Sequence, residues 1–143
     1  MATAKIAFQG EPGANSHIAC QEVYPGMQPL PCATFEDALA AVSDGSADLG
    51  MIPIENSVAG RVADIHHLLP DSGLFIIGEH FLRVRHCLLG LKGARIADLR
   101  AVQSHPQALG QCRQTLRGMG LKPVTVADTA GSARMLSETS DKS

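Results

Sequence analysis

Apolar and polar positions fall in blocks that predict strands alternating with helices. Lys5 to Phe8 is a short apolar run that predicts a strand, and Gln9-Gly-Glu-Pro-Gly-Ala14 is a loop rich in turn residues. A helix is predicted from Asn15 or Ser16 to just before Pro25. Gln28 to Cys32 predicts a second strand. Thr34-Phe-Glu-Asp37 then has the form of a capping box, and Phe35, Ala38, Leu39 and Val42 recur at helical spacing up to Gly45. Leu49 to Ile54 predicts a third strand. Val58, Val62, Ile65 and Leu69 supply the apolar stripe of a third helix, stopped by Pro70 and Asp71-Ser-Gly73. Three such units imply an α/β fold with a mostly parallel sheet covered by helices, and ligands at the carboxyl ends of the strands.

Leu74 to Leu91 breaks this rhythm. Leu82, Val84 and Leu88 alternate with Arg83, Arg85 and Cys87, the pattern of a half-exposed strand that bridges two lobes. A boundary near Gly78 gives lobes of residues 1–77 and 78–143. Beyond Gly93 the rhythm returns. Ala101 to Gln103 predicts a strand, His105 to Arg117 a helix with Ala108, Leu109, Cys112 and Leu116 inward, and Pro123 to Ala127 a strand. Asp128 or Thr129 caps a last helix holding Ala130, Ala133 and Leu136. The tail from Ser137 to Ser143 is polar, and the second lobe is expected to be incomplete.

With 143 residues, net charge -2, one Tyr, four Phe and no Lys/Arg run, the composition favours a small-molecule ligand over nucleic acid or an anionic membrane. Runs such as Leu74-Phe-Ile-Ile77 are too short to span a bilayer, and the Met1-Ala-Thr-Ala4 start lacks a signal-type apolar region, so a cytoplasmic location is expected. Cys20, Cys32, Cys87 and Cys112 show no C-x-x-C spacing. Reduced, mostly buried thiols are expected rather than a zinc or redox site.

Two stretches concentrate the candidate chemistry: Met51-Ile-Pro-Ile-Glu-Asn-Ser-Val-Ala-Gly60 and Gln103-Ser-His-Pro-Gln-Ala-Leu-Gly-Gln-Cys112. Each reads as a strand that stops at small polar residues and turns into a helix, aiming N–H groups and the positive helix end at one point. Such points suit a small anion. Ser104 fits an N-cap and Pro106 the first turn, and Ser104, Gln107 and Gln111 then share one helix face. A purely structural reading stands beside this one. Ser57, Ser104 and Thr129 are then only helix caps, Asn56 and Gln111 surface amides, and Glu55 a first-turn carboxylate. His66-His67 point different ways on a helix, so no metal pair is expected. His86 reads as a half-buried structural histidine and His105 as a cap-adjacent hydrogen-bonding residue. Nothing resembles a nucleophile elbow or a hydrolase triad.

Gln9-Gly-x-Pro-Gly13 with Ser16, Pro53-Ile-Glu-Asn-Ser57 with Gly60, Ser104-His-Pro-Gln-Ala-Leu109 with Gln111-Cys112, and Asp128-Thr-Ala130 occur in the order and spacing seen in prephenate dehydratases. The chain resembles that family from about Lys5 onward. The resemblance implies a two-lobed α/β domain similar to type II periplasmic binding proteins, with the active site between the lobes. It also implies a lyase, free of metal and cofactor, that converts prephenate to phenylpyruvate, carbon dioxide and water on the route to phenylalanine. Carried over residue by residue, it makes Asn56, Ser104, Gln111 and Glu55 catalytic-site residues. Gly10, Ser16, Ser57, His105, Gln107 and Thr129 become substrate-binding positions. Glu55 is expected to fix loop geometry or position a donor, since a bare carboxylate would repel a dianion. A homo-oligomer, dimer or tetramer, is the expected state.

The Thr-Arg-Phe motif to which the family's dehydration chemistry is ascribed does not occur in this sequence, nor does a phenylalanine-sensing ACT-type region. Asn15 also stands where many relatives carry an aromatic residue. The expectation is that these residues alone are weakly active or inactive. Two other classes of function remain open: a silent small-anion or aromatic-acid binding module, and a fragment that associates with a partner chain. Arogenate stands as an alternative substrate.

Overall fold

The structure is a computed structural model that describes residues 3–139. Met1-Ala2 of the expected N-terminal start and residues 140–143 of the polar tail lie outside the described residues. Two compact units are formed, one running to Val84 and the other beginning at Arg85. The division falls inside the extended segment in which the sequence places a boundary at Gly78.

In the first unit, β1 (Lys5–Gln9) is the central strand. It pairs in parallel with β2 (Gln28–Cys32) from Lys5↔Gln28 to Gln9↔Cys32, and with β3 (Leu49–Met51) from Ile6↔Leu49 to Phe8↔Met51. A central parallel strand must be apolar on both faces, and β1 is. Ile6 and Phe8 pack with Cys20 of α1 (Asn15–Val23) on one side. Ala7 packs with Ala38 and Ala41 of α2 (Phe35–Ser43) on the other. Successive strand residues point to opposite faces, so one five-residue strand carries both cores. Full burial of Ile6 and Phe8 contributes about 1.5–3 kcal/mol each.

The Thr34–Asp37 capping box is formed: the Asp37 N–H donates to Thr34 Oγ1 at 3.1 Å, and the Thr34 N–H donates to Asp37 Oδ2 at 3.2 Å. The third unit of the pattern departs from expectation. β3 stops at Met51, since the Pro53 that follows has no N–H to give a ladder. Glu55–Asn56 (β4) and Gly60–Arg61 (β5) then form an antiparallel hairpin. The helix α3 begins only at Ala63 and runs through Pro70 to Asp71. Val58, expected on that helix, lies in the hairpin turn and is 73% exposed, and Ile65 is the buried residue of the helix.

The expected strand between Leu74 and Leu91 is not formed. The segment runs without regular structure, and Phe75 and Phe81 are 89% and 85% exposed. Within the first unit it is tied to α1 by His80 Nε2, 3.0 Å from Glu22 Oε2. Cys87 is exposed rather than buried, whereas Cys20 is buried and Cys32 and Cys112 are half-buried.

In the second unit β6 (Ala101–Ser104) pairs in parallel with β7 (Lys122–Thr125), from Ala101↔Lys122 to Ser104↔Thr125. The single helix predicted over 105–117 is two, α4 (Pro106–Gln111) and α5 (Arg113–Gly118), with Cys112 leaving helical geometry between them. Leu109 and Leu116 still reach one core with Leu121, Val102 and Leu99. α6 (Thr129–Ser137) lies on this sheet through Ser132, whose hydroxyl donates to the Gln103 carbonyl at 3.2 Å. Among the described residues no helix is long and apolar enough to cross a membrane.

Candidate functional site

The site residues collect where strands end, in two groups, one per unit. In the first unit β1 and β3 are parallel neighbours, so Gly10 and the Ile52-Pro53 segment leave the sheet at the same edge. Gly10 has φ +117°, a left-handed conformation that an L side chain resists, and its N–H extends the ladder to the Cys32 carbonyl at 2.9 Å. α1 has no capping side chain of its own, Ala14 being the N-cap. The preceding loop is held instead by His17, whose Nδ1 accepts the Gly13 N–H at 2.9 Å while its ring stacks on Phe8 at 5.3 Å. Ser16 sits half-buried in the first turn. His17 escaped the sequence reading, although a histidine three residues into a helix behind a Gly-rich loop is a recognisable signal for such a bond.

Pro53-Ile-Glu-Asn-Ser57 is the entry to the hairpin and not, as expected, the start of a helix. Asn56 closes the turn: its Oδ1 accepts the N–H groups of Val58 and Ala59, both at 2.9 Å. This is the local side-chain mimicry of a backbone turn at which Asn excels. Gly60, at φ +82°, completes it. Ser57 is therefore an exposed turn residue and not a helix cap. Glu55 is exposed and pairs in register with Arg61 across the hairpin, consistent with a part in loop geometry. The consequence for chemistry lies in Asn56: its acceptor atom is engaged inside the loop, and the NH2 group is what remains for a ligand.

In the second unit β6 carries Ser104 as its last residue, because pairing with Thr125 extends the strand by one position. The N-cap of α4 is accordingly His105 and not Ser104, with His105 Nδ1 accepting the Gln107 N–H at 3.2 Å. Pro106 has no N–H and that of Gln107 is engaged, so the helix start offers an anion far less than the sequence suggested. Side chains take over. Among the described residues the Ser104 hydroxyl has no hydrogen-bond partner. In neutral His105, a bonded Nδ1 acceptor places the proton on Nε2, making that edge a donor.

Gln111 ends α4 half-buried, with Oε1 3.0 Å from Nε2 of His86. Gln107 lies one turn earlier on the same face, exposed. The sequence predicts a half-buried structural histidine at His86. It is exposed, and its partner lies 25 residues along the chain, a separation no local pattern reveals.

Thr129 opens α6 and is exposed, while the cap is Asp128, whose carboxylate accepts the Gly131 N–H. A Cβ at Gly131 would meet Asp128 Oδ2 at 2.6 Å, which explains a glycine there. With Asp128 already complementing the dipole, this helix start is closed to a second anion.

Burial pushes the Cys20 thiol up to about 11, and burial followed by the charge of Asp37 raises that of Cys32. Cys20 belongs to one core cluster of the first unit, and half-buried Cys32 packs against the other. Among the described residues no group of three or more His, Cys, Asp or Glu side chains can hold a metal ion. The first group offers the Asn56 amino group as a hydrogen-bond donor, and the second offers the Gln111 amino group and Ser104 Oγ, with His105 Nε2 beside them.

The family model for prephenate dehydratase matches residues 6–143. The chain is 56% identical over 133 residues to a bifunctional N-acyl-homoserine lactone acylase/prephenate dehydratase of Komagataeibacter europaeus, covering 93% of this chain and 47% of the relative. It is 45% identical over 132 residues to arogenate dehydratase/prephenate dehydratase 2 of Arabidopsis thaliana, covering 92% and 35%. Among solved structures, a quorum-quenching acylase superposes with TM-score 0.84 at 55% identity, over 94% of this chain and 49% of that one. A prephenate dehydratase from Arthrobacter aurescens, in complex with L-Phe, superposes with TM-score 0.75 at 26% identity, over 97% and 47%. The chain thus spans half or less of the length of these relatives. Its α/β architecture with mostly parallel sheets is that of the solved prephenate dehydratases, a periplasmic-binding-protein-like fold. This chain belongs to the prephenate dehydratase family, whose members serve phenylalanine biosynthesis.

Proposed function

We propose that the protein acts on prephenate, converting it to phenylpyruvate, carbon dioxide and water, with the two units as lobes of its catalytic domain. Asn56, Ser104 and Gln111 are substrate contacts in this reading. Glu55, Ser57, Gly10 and Ser16 shape the first group, and His105, Gln107 and Thr129 the second. The observation that carries it is the donor-only character of the two amides: Asn56 and Gln111 each spend their carbonyl oxygen on a protein partner. Their NH2 groups thereby face a ligand that must be an acceptor, and prephenate, with two carboxylates, is one.

The reaction asks for orientation and for one proton. The bond between the ring carbon and its carboxylate breaks, and that electron pair enters the ring as the hydroxyl departs from the opposite ring carbon. A proton delivered to that oxygen releases it as water. Aromatisation supplies the driving force, so donors that hold the side-chain carboxylate while leaving the ring carboxylate unencumbered do most of the work. The family resemblance assigns the proton to a threonine of a Thr-Arg-Phe motif absent from these residues. Ser104 and His105 would therefore support rather than replace it.

The test is phenylpyruvate formation from prephenate, and phenylalanine formation from arogenate, by this chain and by a version extended to the length of its relatives, with Ser104→Ala as control. Activity in the extended form that falls with the substitution establishes the lyase. Binding without turnover in either form favours the aromatic-acid binding module, and the mass measured by light scattering decides between monomer and homo-oligomer. The 56% identity to a bifunctional enzyme supports a second reading, hydrolysis of N-acyl-homoserine lactones, which release of homoserine lactone in the same preparations tests.

A further inference from the structure

We propose that His86 is a positioning residue for Gln111, fixing its carboxamide so that the NH2 group, and not the oxygen, is presented to the substrate. The inference rests on Gln111 being a substrate contact and goes beyond it by naming what makes that contact selective. A glutamine carboxamide turns about a broad, two-fold terminal torsion, so its oxygen and nitrogen exchange places easily unless a neighbour distinguishes them. Toward a carboxylate the two orientations are opposite in sign, one donating and the other repelling. Gln111 closes α4 at a helix end, where its own backbone does not restrain the amide.

The neighbour is His86, from the extended segment entering the same unit, with Nε2 3.0 Å from Gln111 Oε1. The oxygen can be held there only if Nε2 carries the proton. That is true of one neutral tautomer and of the protonated ring alike. Asn56 reaches the same end through the backbone N–H groups of its turn. Gln111 has no such turn and borrows a side chain instead. The exposure of His86 fits this office: it contributes to no core cluster, and the hydrogen bond to Gln111 is its described side-chain contact.

The experiment compares His86→Leu, His86→Gln, Gln111→Leu and the double variant His86→Leu/Gln111→Leu with the parent, in the version extended to the length of its relatives. Titration calorimetry gives the dissociation constant for prephenate, and nitrogen-15 NMR gives the histidine tautomer. Expected are an Nε2–H tautomer for neutral His86 and prephenate affinity weakened roughly 3- to 10-fold in His86→Leu. Recovery in His86→Gln, which keeps an N–H donor, is expected, as is no further loss when His86→Leu is added to Gln111→Leu. Unfolding temperatures equal to the parent's exclude a merely structural effect. If Gln111→Leu weakens binding while His86→Leu does not, or if neutral His86 carries its proton on Nδ1, the positioning role is overturned and the substrate contact stands. If Gln111→Leu binds prephenate like the parent, the contact itself fails and the positioning role with it.

Discussion

Asn56→Asp tests the proposed substrate contact of Asn56 apart from its part in the turn. In the hairpin, Asn56 Oδ1 accepts two N–H groups, from Val58 and Ala59, both at 2.9 Å. An aspartate places a carboxylate oxygen at the same point and keeps both bonds, with charge assistance that strengthens them. Hairpin and fold should therefore survive, with unfolding in urea within about 0.5 kcal/mol of the parent, the scatter of ordinary surface changes. The NH2 group, in contrast, becomes an oxygen. A lost hydrogen bond to a charged group costs about 1.5–3 kcal/mol, and at about 1.4 kcal/mol per tenfold this is roughly 10- to 150-fold in prephenate affinity. Repulsion between carboxylates pushes the loss further. Asn56→Ala gives the complementary result: it removes the two turn bonds and destabilises by about 1–3 kcal/mol. Calorimetric titration with prephenate and urea unfolding of the three proteins are the assays. An aspartate variant that binds like the parent, or one that unfolds as easily as the alanine variant, would refute the division of labour.

The two-faced burial of β1 predicts that Phe8→Ala, which empties the α1 side of the sheet and removes the ring stacked on His17, costs about 3–5 kcal/mol; denaturant unfolding of that variant reads it. Asp128→Ala should cost about 1 kcal/mol by removing the α6 cap, seen as a lowered unfolding temperature. The alkaline limb of stability should carry the signature of Cys20. Its thiol stays protonated to about 11 in the folded chain, against an ordinary 9.0, so above pH 9 the unfolded chain ionises first and stability falls as pH rises toward 11, with no contribution below pH 9. Cys20→Ala should flatten that fall in unfolding curves taken from pH 8 to 11. At pH 8 iodoacetamide should label exposed Cys87 well before Cys20.

The sequence by itself determined every feature whose cause lies within a few residues. β1 and β2 announce themselves as short apolar runs between turn residues, and the box of Thr34 and Asp37 places α2 because both partners sit three positions apart. The family motifs are likewise local words, legible in the sequence alone. Only the tertiary structure decided matters that depend on pairing across the chain. β4 and β5 are two residues each, too short to leave a period in the sequence, and exist because Asn56 ties the turn between them. Cap duty passed from Ser104 to His105 because β7 lies beside β6 and draws Ser104 into the ladder, leaving its hydroxyl for other use. The bond from His86 to Gln111 spans 25 residues. Orientation of an amide is a property of what stands beside it, and that is settled only when the chain has folded.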